Sequence, residues 1–340
     1  MENIEHESLE AADARKQSHL DLAFSSQSNS IDDRFYYEPM LSGFPEKEEK
    51  ILTKIGEKTM NYPIWISSMT GGTSKAGPIN KMLAKTASKN GFGMGLGSCR
   101  MILEDNSYFE DFNLRPILGD AVPFYANVGI AQIELILKKN QAKKLNDLVE
   151  KLSADGLIVH VNPLQEWLQP EGDRIEQSPL VTIKQLLNEM KYPVIVKEVG
   201  QGFGPESMGE LLKLPILALD FAANGGTNFS KLELIRNKDI KEIFEGVVSL
   251  GHSASEMVEI LNDTVEKMGN ERKCNNVIIS GGVKNFLDGY YLINKSSLNS
   301  VYGQAAPFLK YANKSQEELD QFAQFQIDGL LMAQRLLRVK

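Results

Sequence analysis

Cysteine is almost missing from this chain: Cys99 and Cys274 are the only two in 340 residues. Two thiols so far apart make no disulfide framework, and no CxxC spacing offers a redox or zinc pair. A reducing compartment is the simplest reading. Long hydrophobic runs are also lacking. No stretch approaches 18 apolar residues, so no segment reads as a membrane span. Excess positive charge is absent, because the formal net charge is −8. That balance argues against a general nucleic-acid binder and still allows a local basic pocket for an anion. The start, MENIEHESLEAADARKQSHLDLAF, is acidic and has no apolar core, so it does not read as a secretory signal. Internal repeats and low-complexity tracts are not found. A cytoplasmic enzyme is the default expectation, with no nucleic-acid or membrane partner.

What is present is a series of apolar runs, each followed by a polar turn. Strand-like segments are read at 63–69, 92–96, 122–128, 157–161, 194–199, 216–221, 277–280 and, more weakly, 300–302. Helical spacing fills 77–90, a long stretch over 131–152, and roughly 316–338. Continuous rather than alternating apolar strands imply a parallel sheet covered on its outside. About eight such units predict a (β/α)₈ barrel, the TIM-barrel class. Residues 1–60 precede it as an N-terminal extension, and 61–340 form the barrel. The polar stretch 225–254 is expected as a long loop after the sixth strand, where active-site covers are common.

The most informative stretch is His160-Val161-Asn162-Pro163-Leu164-Gln165-Glu166. It places an imidazole, two amides and a carboxylate just past the fourth strand. Ligands bind at that edge in α/β proteins. Other polar motifs sit at the same place in their own units. They include Ser67-Ser68-Met69-Thr70-Gly71-Gly72, Gly97-Ser98-Cys99-Arg100, Asn127-Val128-Gly129 and Lys197-Glu198-Val199-Gly200. Gly225-Gly226-Thr227-Asn228, Ser280-Gly281-Gly282 and Gly303-Gln304-Ala305-Ala306 complete the set. Together they predict one rim converging on one ligand volume.

The last glycine turns have the character of a phosphate cradle, since bare backbone N–H groups attract an anion and glycine allows close approach. A plain left-handed turn is the alternative for either turn alone. Gly93-Met94-Gly95-Leu96-Gly97 is not a dinucleotide fingerprint, because its third glycine comes too early. Lys197, ending an apolar strand, either faces an anion or pairs with Glu198 on the rim. Glu166 either starts a helix, favoured by the dipole, or carries a cation beside a polyphosphate. Arg15, Lys16 and His19 read from composition alone as a solvated face.

These motifs, with the ArgLysxxHis element at 15–19, resemble the type 2, flavin-dependent isopentenyl-diphosphate isomerases. The resemblance runs from Arg15 to about Leu309. Its most specific element is the HisxAsnxxGlnGlu stretch at 160–166. It implies interconversion of isopentenyl and dimethylallyl diphosphate, with reduced FMN acting as acid and base and no net redox turnover. NADPH or another reductant would only prime the flavin. The resemblance further implies that Met69, Thr70, Ser98, Asn127, Lys197 and Thr227 contact FMN, with Gly281, Gly282, Ala305 and Ala306 near its phosphate. Arg15, Lys16, Arg100, His160, Asn162 and Gln165 would hold the substrate, and Glu166 would bind Mg²⁺. Gln165, His160 and Lys197 are then the candidates for the chemistry. A homo-tetramer or octamer is implied as well.

Departures fall mainly on the phosphate side. Val283-Lys284-Asn285 stands where the family usually has an arginine, and lysine lacks the bidentate fork. The rival reading is an FMN-dependent oxidoreductase of the 2-hydroxy-acid oxidase type. That chemistry needs a late histidine base with a nearby arginine. The only late histidine is His252, with no HisxxArg around it.

Overall fold

The computed structural model describes residues 9–68, 71 and 75–340. Three short strands come first: β1 (Phe35–Tyr37), β2 (Thr53–Ile55) and β3 (Lys58–Met60). Eight strands then close a parallel barrel. They are β4 (Ile64–Ile66), β5 (Gly93–Gly95), β6 (Phe124–Gly129), β7 (Gly156–His160), β8 (Val194–Lys197), β9 (Ala218–Asp220), β10 (Asn276–Ser280) and β11 (Asn299–Gln304). Each pairs with its sequence neighbour, and β11 closes onto β4 through Gly303 beside Trp65. The expected barrel is therefore the observed one.

The strands form because they are buried on both faces. Along β8 the outer residues Val194 and Val196 join the core under the helices, while Ile195 points into the barrel. Every strand repeats that alternation. The barrel interior is a separate apolar layer of Trp65, Tyr125, Ile158, Ile195, Ala218, Ile278 and Val301. Its lower end is closed by the β2–β3 hairpin, whose Ile55 and Met60 belong to the same layer. Lys58 fixes that plug through Asp155, 2.6 Å away, just before β7.

The expectation of one helix over 131–152 is corrected. Two helices, Ile130–Lys138 and Lys143–Lys151, stand there instead. Asn140 lies between them at φ 54°, and Gln141 N–H turns back to the Ile136 carbonyl. A left-handed residue cannot continue a right-handed helix. The last helix also ends early, at Leu336. Leu337–Val339 becomes β12, antiparallel to β1, so the N-terminal extension is tied to the C-terminus. Arg34 adds to that clasp, bonding Asp288 at 2.9 Å and lying over the Phe35 and Tyr291 rings. The stretch 225–254 is not a bare loop. It holds the helices Phe229–Arg236 and Lys241–Phe244 with 3₁₀ turns. Among the described residues, no helix is long and apolar enough to cross a membrane.

The interior layer should behave as close-packed core. Ile158→Ala is expected to cost about 2–5 kcal/mol of unfolding free energy. Urea midpoints of the two proteins would measure it, and a shift below half a kcal/mol would show that the layer is not tightly packed.

Candidate active site

One residue pair further along each strand, side chains point inward again, now at the C-terminal mouth. Above the apolar layer stand Ser67, Asn127, His160, Lys197, Asp220 and Ser280. His160, Lys197 and Asp220 are direct neighbours across β7, β8 and β9. The strand period alone thus places a polar side chain two residues beyond six of the seven apolar strand positions, with Gly303 beyond Val301.

Against one side of this ring lies a cleft. Six of the ten residues expected at the cofactor line it: Lys197, Thr227, Gly281, Gly282, Ala305 and Ala306. Asn127 belongs to the ring but bonds His160. Ser98 is partly buried, and its Oγ accepts from the Arg100 N–H. Met69 and Thr70 lie outside the described residues. Sequence reasoning did not single out Ser67, Ser68 or Gln304, although all three stood in the quoted motifs. Each lines the cleft and has a buried polar atom with no partner among the described residues: Ser67 Oγ, Ser68 Oγ and Gln304 Oε1. Gly281 is obligatory. Its φ is +86°, and a Cβ there would overlap the Ala223 backbone.

The charges in the ring are set by burial. Asp220 is fully buried and was also missed; a carboxylate ending an apolar strand was the available signal. Its Oδ1 accepts from Ser280 Oγ at 2.5 Å, while Oδ2 has no partner among the described residues. Burial raises its pKa, opposed by the Lys197 charge. Lys197 Nζ donates to the Glu198 backbone carbonyl at 2.7 Å, not to its carboxylate. The Glu198 carboxylate instead accepts from the N–H groups of Gly200, Gln201 and Gly202 and shapes that loop. Asn127 donates its amide N–H to the Leu96 carbonyl, so its Oδ1 faces His160 Nδ1 at 2.9 Å. That bond puts the imidazole proton on Nδ1 and leaves Nε2 as an acceptor. Burial, then the Lys197 charge, push the His160 pKa down to about 3. His160 is therefore neutral at ordinary pH and meets a ligand through hydrogen bonding, not charge.

The stretch after β7 forms a second set of contacts beside the ring. Asn162 Nδ2 donates to Gln165 Oε1 at 3.1 Å and to Glu166 Oε1 at 2.9 Å. Gln165 Nε2 reaches buried Glu233 at 3.3 Å, and Arg236 holds Glu233 at 2.6 Å. Glu166 Oε2 accepts from the Asp173 N–H at 2.7 Å, and Asp173 bonds Arg100 at 2.6 Å. Four expected residues, Arg100, Asn162, Gln165 and Glu166, are thus gathered into one network. Its other members, Asp173, Glu233 and Arg236, carry no local sequence signal. Arg15 and Lys16 lie exposed on the helix Leu9–Leu22.

No protein-family model matches the chain. Similar proteins do. The isopentenyl-diphosphate delta-isomerase of Rickettsia akari (strain Hartford) is 34% identical over 332 residues, covering 93% of this chain and 91% of the relative. That of Rickettsia felis is 36% identical over 275 residues, covering 80% and 76%. The chain belongs to the isopentenyl-diphosphate delta-isomerase family. Its motif set is that of the type 2 class. Among solved structures, the flavin-binding domain of baker's yeast flavocytochrome b2 superposes with a TM-score of 0.59 at 14% identity, covering 97% of this chain and 88% of that one. A mandelate oxidase variant with (S)-mandelic acid gives 0.55 at 12%, covering 91% and 87%. These likenesses show the barrel fold.

The neutral imidazole of this family member has a stability consequence. The unfolded chain takes up the His160 proton near pH 6.5, the native state only near 3. Stability from this group is therefore present above pH 6.5 and lost as pH falls toward 3. Replacing the group by His160→Gln should flatten the acid limb by up to about 1.4 kcal/mol per pH unit. Urea midpoints between pH 7 and 4 would show it, and parallel slopes would mean that His160 is not held neutral.

Proposed function

We propose that this protein converts isopentenyl diphosphate to dimethylallyl diphosphate by adding one proton and removing another across an allyl unit. The observation that carries the reading is the network of Arg100, Asn162, Gln165 and Glu166 beside a glycine-walled cleft. FMN fits that cleft on two grounds. Three buried oxygens, on Ser67, Ser68 and Gln304, wait for polar partners. The Gly226 and Gly281-Gly282 turns offer bare backbone where a phosphate needs close approach. Lys197, Thr227, Asn127 and Ser98 would then hold the ring side, and Gly281, Gly282, Ala305 and Ala306 the phosphate. Bound in reduced form, FMN supplies an electron-rich ring and a protonatable edge without net redox turnover, and NADPH serves only to prime it.

Mg²⁺ fits through Glu166. Among the described residues there is no group of three or more His, Cys, Asp or Glu able to cage a metal. A single carboxylate plus substrate phosphates is the usual Mg²⁺ arrangement. Arg100 brings positive charge to the diphosphate, and Arg15 and Lys16 would add to it from the N-terminal helix. Lys197 places a buried cation where negative charge on a reduced flavin is stabilised. Protonating an unactivated alkene creates a tertiary cation, so water must be excluded. The dry barrel layer under His160 and Lys197 serves that need. Gln165 is fixed at both ends of its amide, by Asn162 and Glu233, and so positions the alkene.

The hydroxy-acid oxidase reading gains nothing beyond the fold. His252 pairs with Glu256 at 2.8 Å and does not line the cleft. Anaerobic incubation with isopentenyl diphosphate, FMN, Mg²⁺ and NADPH should yield the allylic isomer. No product, or oxygen uptake with a hydroxy acid, would overturn the proposal. Gln165→Asn shortens the amide arm by one methylene and should lower turnover about a hundredfold while flavin stays bound. Wild-type turnover in that variant would remove Gln165 from the chemistry.

A further inference from the structure

We propose that Asp173 is a positioning residue that couples the arginine on the anion side to the carboxylate on the cation side. The inference rests on the isomerase reading and goes beyond it, since it assigns a residue to the machinery that no motif marked. Asp173 lies in the segment between the helices Pro163–Leu168 and Pro179–Glu189. Three bonds converge on it from separate elements. Its Oδ2 accepts from Arg100 Nη1 at 2.6 Å and from Gln132 Nε2 at 2.5 Å. Its backbone N–H donates to Glu166 Oε2 at 2.7 Å.

The path of this segment is fixed from below. Gly172 lies directly on the helix that carries Glu166, and a Cβ there would overlap the Glu166 carbonyl oxygen. The neighbouring N–H is therefore aimed at the Glu166 side chain by the backbone itself. Gln132 sits in the helix that follows β6 and is buried, so its amide is a rigid anchor for the Asp173 carboxylate. Arg100, by contrast, is more than half exposed. An exposed ion pair contributes little stability by itself. What it does here is orient the guanidinium. One Nη1 bond goes to Asp173, and the other guanidinium N–H groups have no partner among the described residues. They are the donors that an oxygen-rich anion would take. Through one residue, the anion holder and the cation holder are kept at a fixed separation, as a metal-bridged diphosphate requires. Outer partners of this kind typically change metal affinity 10- to 100-fold.

The probe is Mg²⁺ with inorganic pyrophosphate, titrated calorimetrically into the FMN-loaded protein. Asp173→Ala should weaken pyrophosphate binding about 10- to 100-fold with flavin content unchanged. Asp173→Asn, which keeps an acceptor oxygen, should recover part of the loss. In an Arg100→Ala background, Asp173→Ala should add little, because the two act as one unit. Unchanged binding in Asp173→Ala would overturn the proposal. So would tighter binding, which would make Asp173 a competitor for Arg100, or a full additive loss in the Arg100→Ala background. Wild-type protein that does not bind Mg²⁺-pyrophosphate would overturn it as well. Intact binding with no allylic product would instead count against the isomerase reading alone.

Discussion

The two-residue alternation of a closed parallel barrel is the constraint on which this molecule depends. It packs Trp65, Tyr125, Ile158, Ile195, Ala218, Ile278 and Val301 into a dry layer. The same geometry then forces Ser67, Asn127, His160, Lys197, Asp220 and Ser280 inward one step above. A polar ring over an apolar floor has no water beneath it. Every donor and acceptor in the ring must find a partner in the protein or in a ligand. Most do. Among the described residues, the ring oxygens of Ser67 and one on Asp220 do not, nor do those of Ser68 and Gln304 beside the ring. Each such orphan costs about 1–3 kcal/mol when buried. A native fold tolerates that concentration where a bound group completes the set. The cleft is pre-shaped for a polar ligand because the barrel cannot satisfy itself there.

Electrostatics separate the two sides of the mouth. On the cleft side, Lys197 and Asp220 are adjacent in register and buried together, and His160 next to them stays neutral. A protonated imidazole there would place a second cation beside Lys197 at high desolvation cost. The neutral ring avoids that, and leaves Lys197 beside the buried Asp220 carboxylate. On the other side, Glu166, Asp173 and Glu233 alternate with Arg100 and Arg236. Carboxylates dominate that arm, so it would repel a diphosphate in the absence of a divalent cation. The acidic character is therefore an argument for metal bridging in its own right.

Much of the fold was legible because barrel strands are short, continuous and apolar, and polar turns punctuate them at regular spacing. All eight strands were found at the expected places. The long helix over 131–152 was misread because its apolar spacing carries through the break. Only the backbone of Asn140, which leaves the right-handed region, reveals two helices. In the site, Arg100, Asn162, Gln165 and Glu166 meet in one network, and local spacing after one strand fixes three of them. Asp173, Glu233 and Gln132 were invisible because their partners are set by tertiary packing. Asp173 meets Arg100 across 73 residues, and Gln165 meets Glu233 across 68. No window of sequence spans such distances. Glu198 illustrates the reverse case: a carboxylate beside a lysine suggested an ion pair, and the fold used it to bind three loop N–H groups.

The comparison with the oxidases sharpens what belongs to the scaffold and what belongs to the site. The chain shares a barrel with flavocytochrome b2 and mandelate oxidase variants at only 10–17% identity. Function on such a scaffold is decided by the loops at the strand ends. In this chain the polar weight falls after the fourth barrel strand, in the His160 to Glu166 stretch and the Asp173 segment. The late strands, by contrast, present glycines and an alanine pair. His252, the one histidine on that side, is turned to Glu256. A base poised to take a proton from an α-carbon needs a titratable group over the cleft, and the late strands do not place one there. The fourth unit instead gathers the carboxylates Glu166 and Asp173 with the amides Asn162 and Gln165, and Arg100 joins them from the second unit. The distribution of side chains around the rim, more than the barrel beneath it, is what separates an isomerase from an oxidase on this fold.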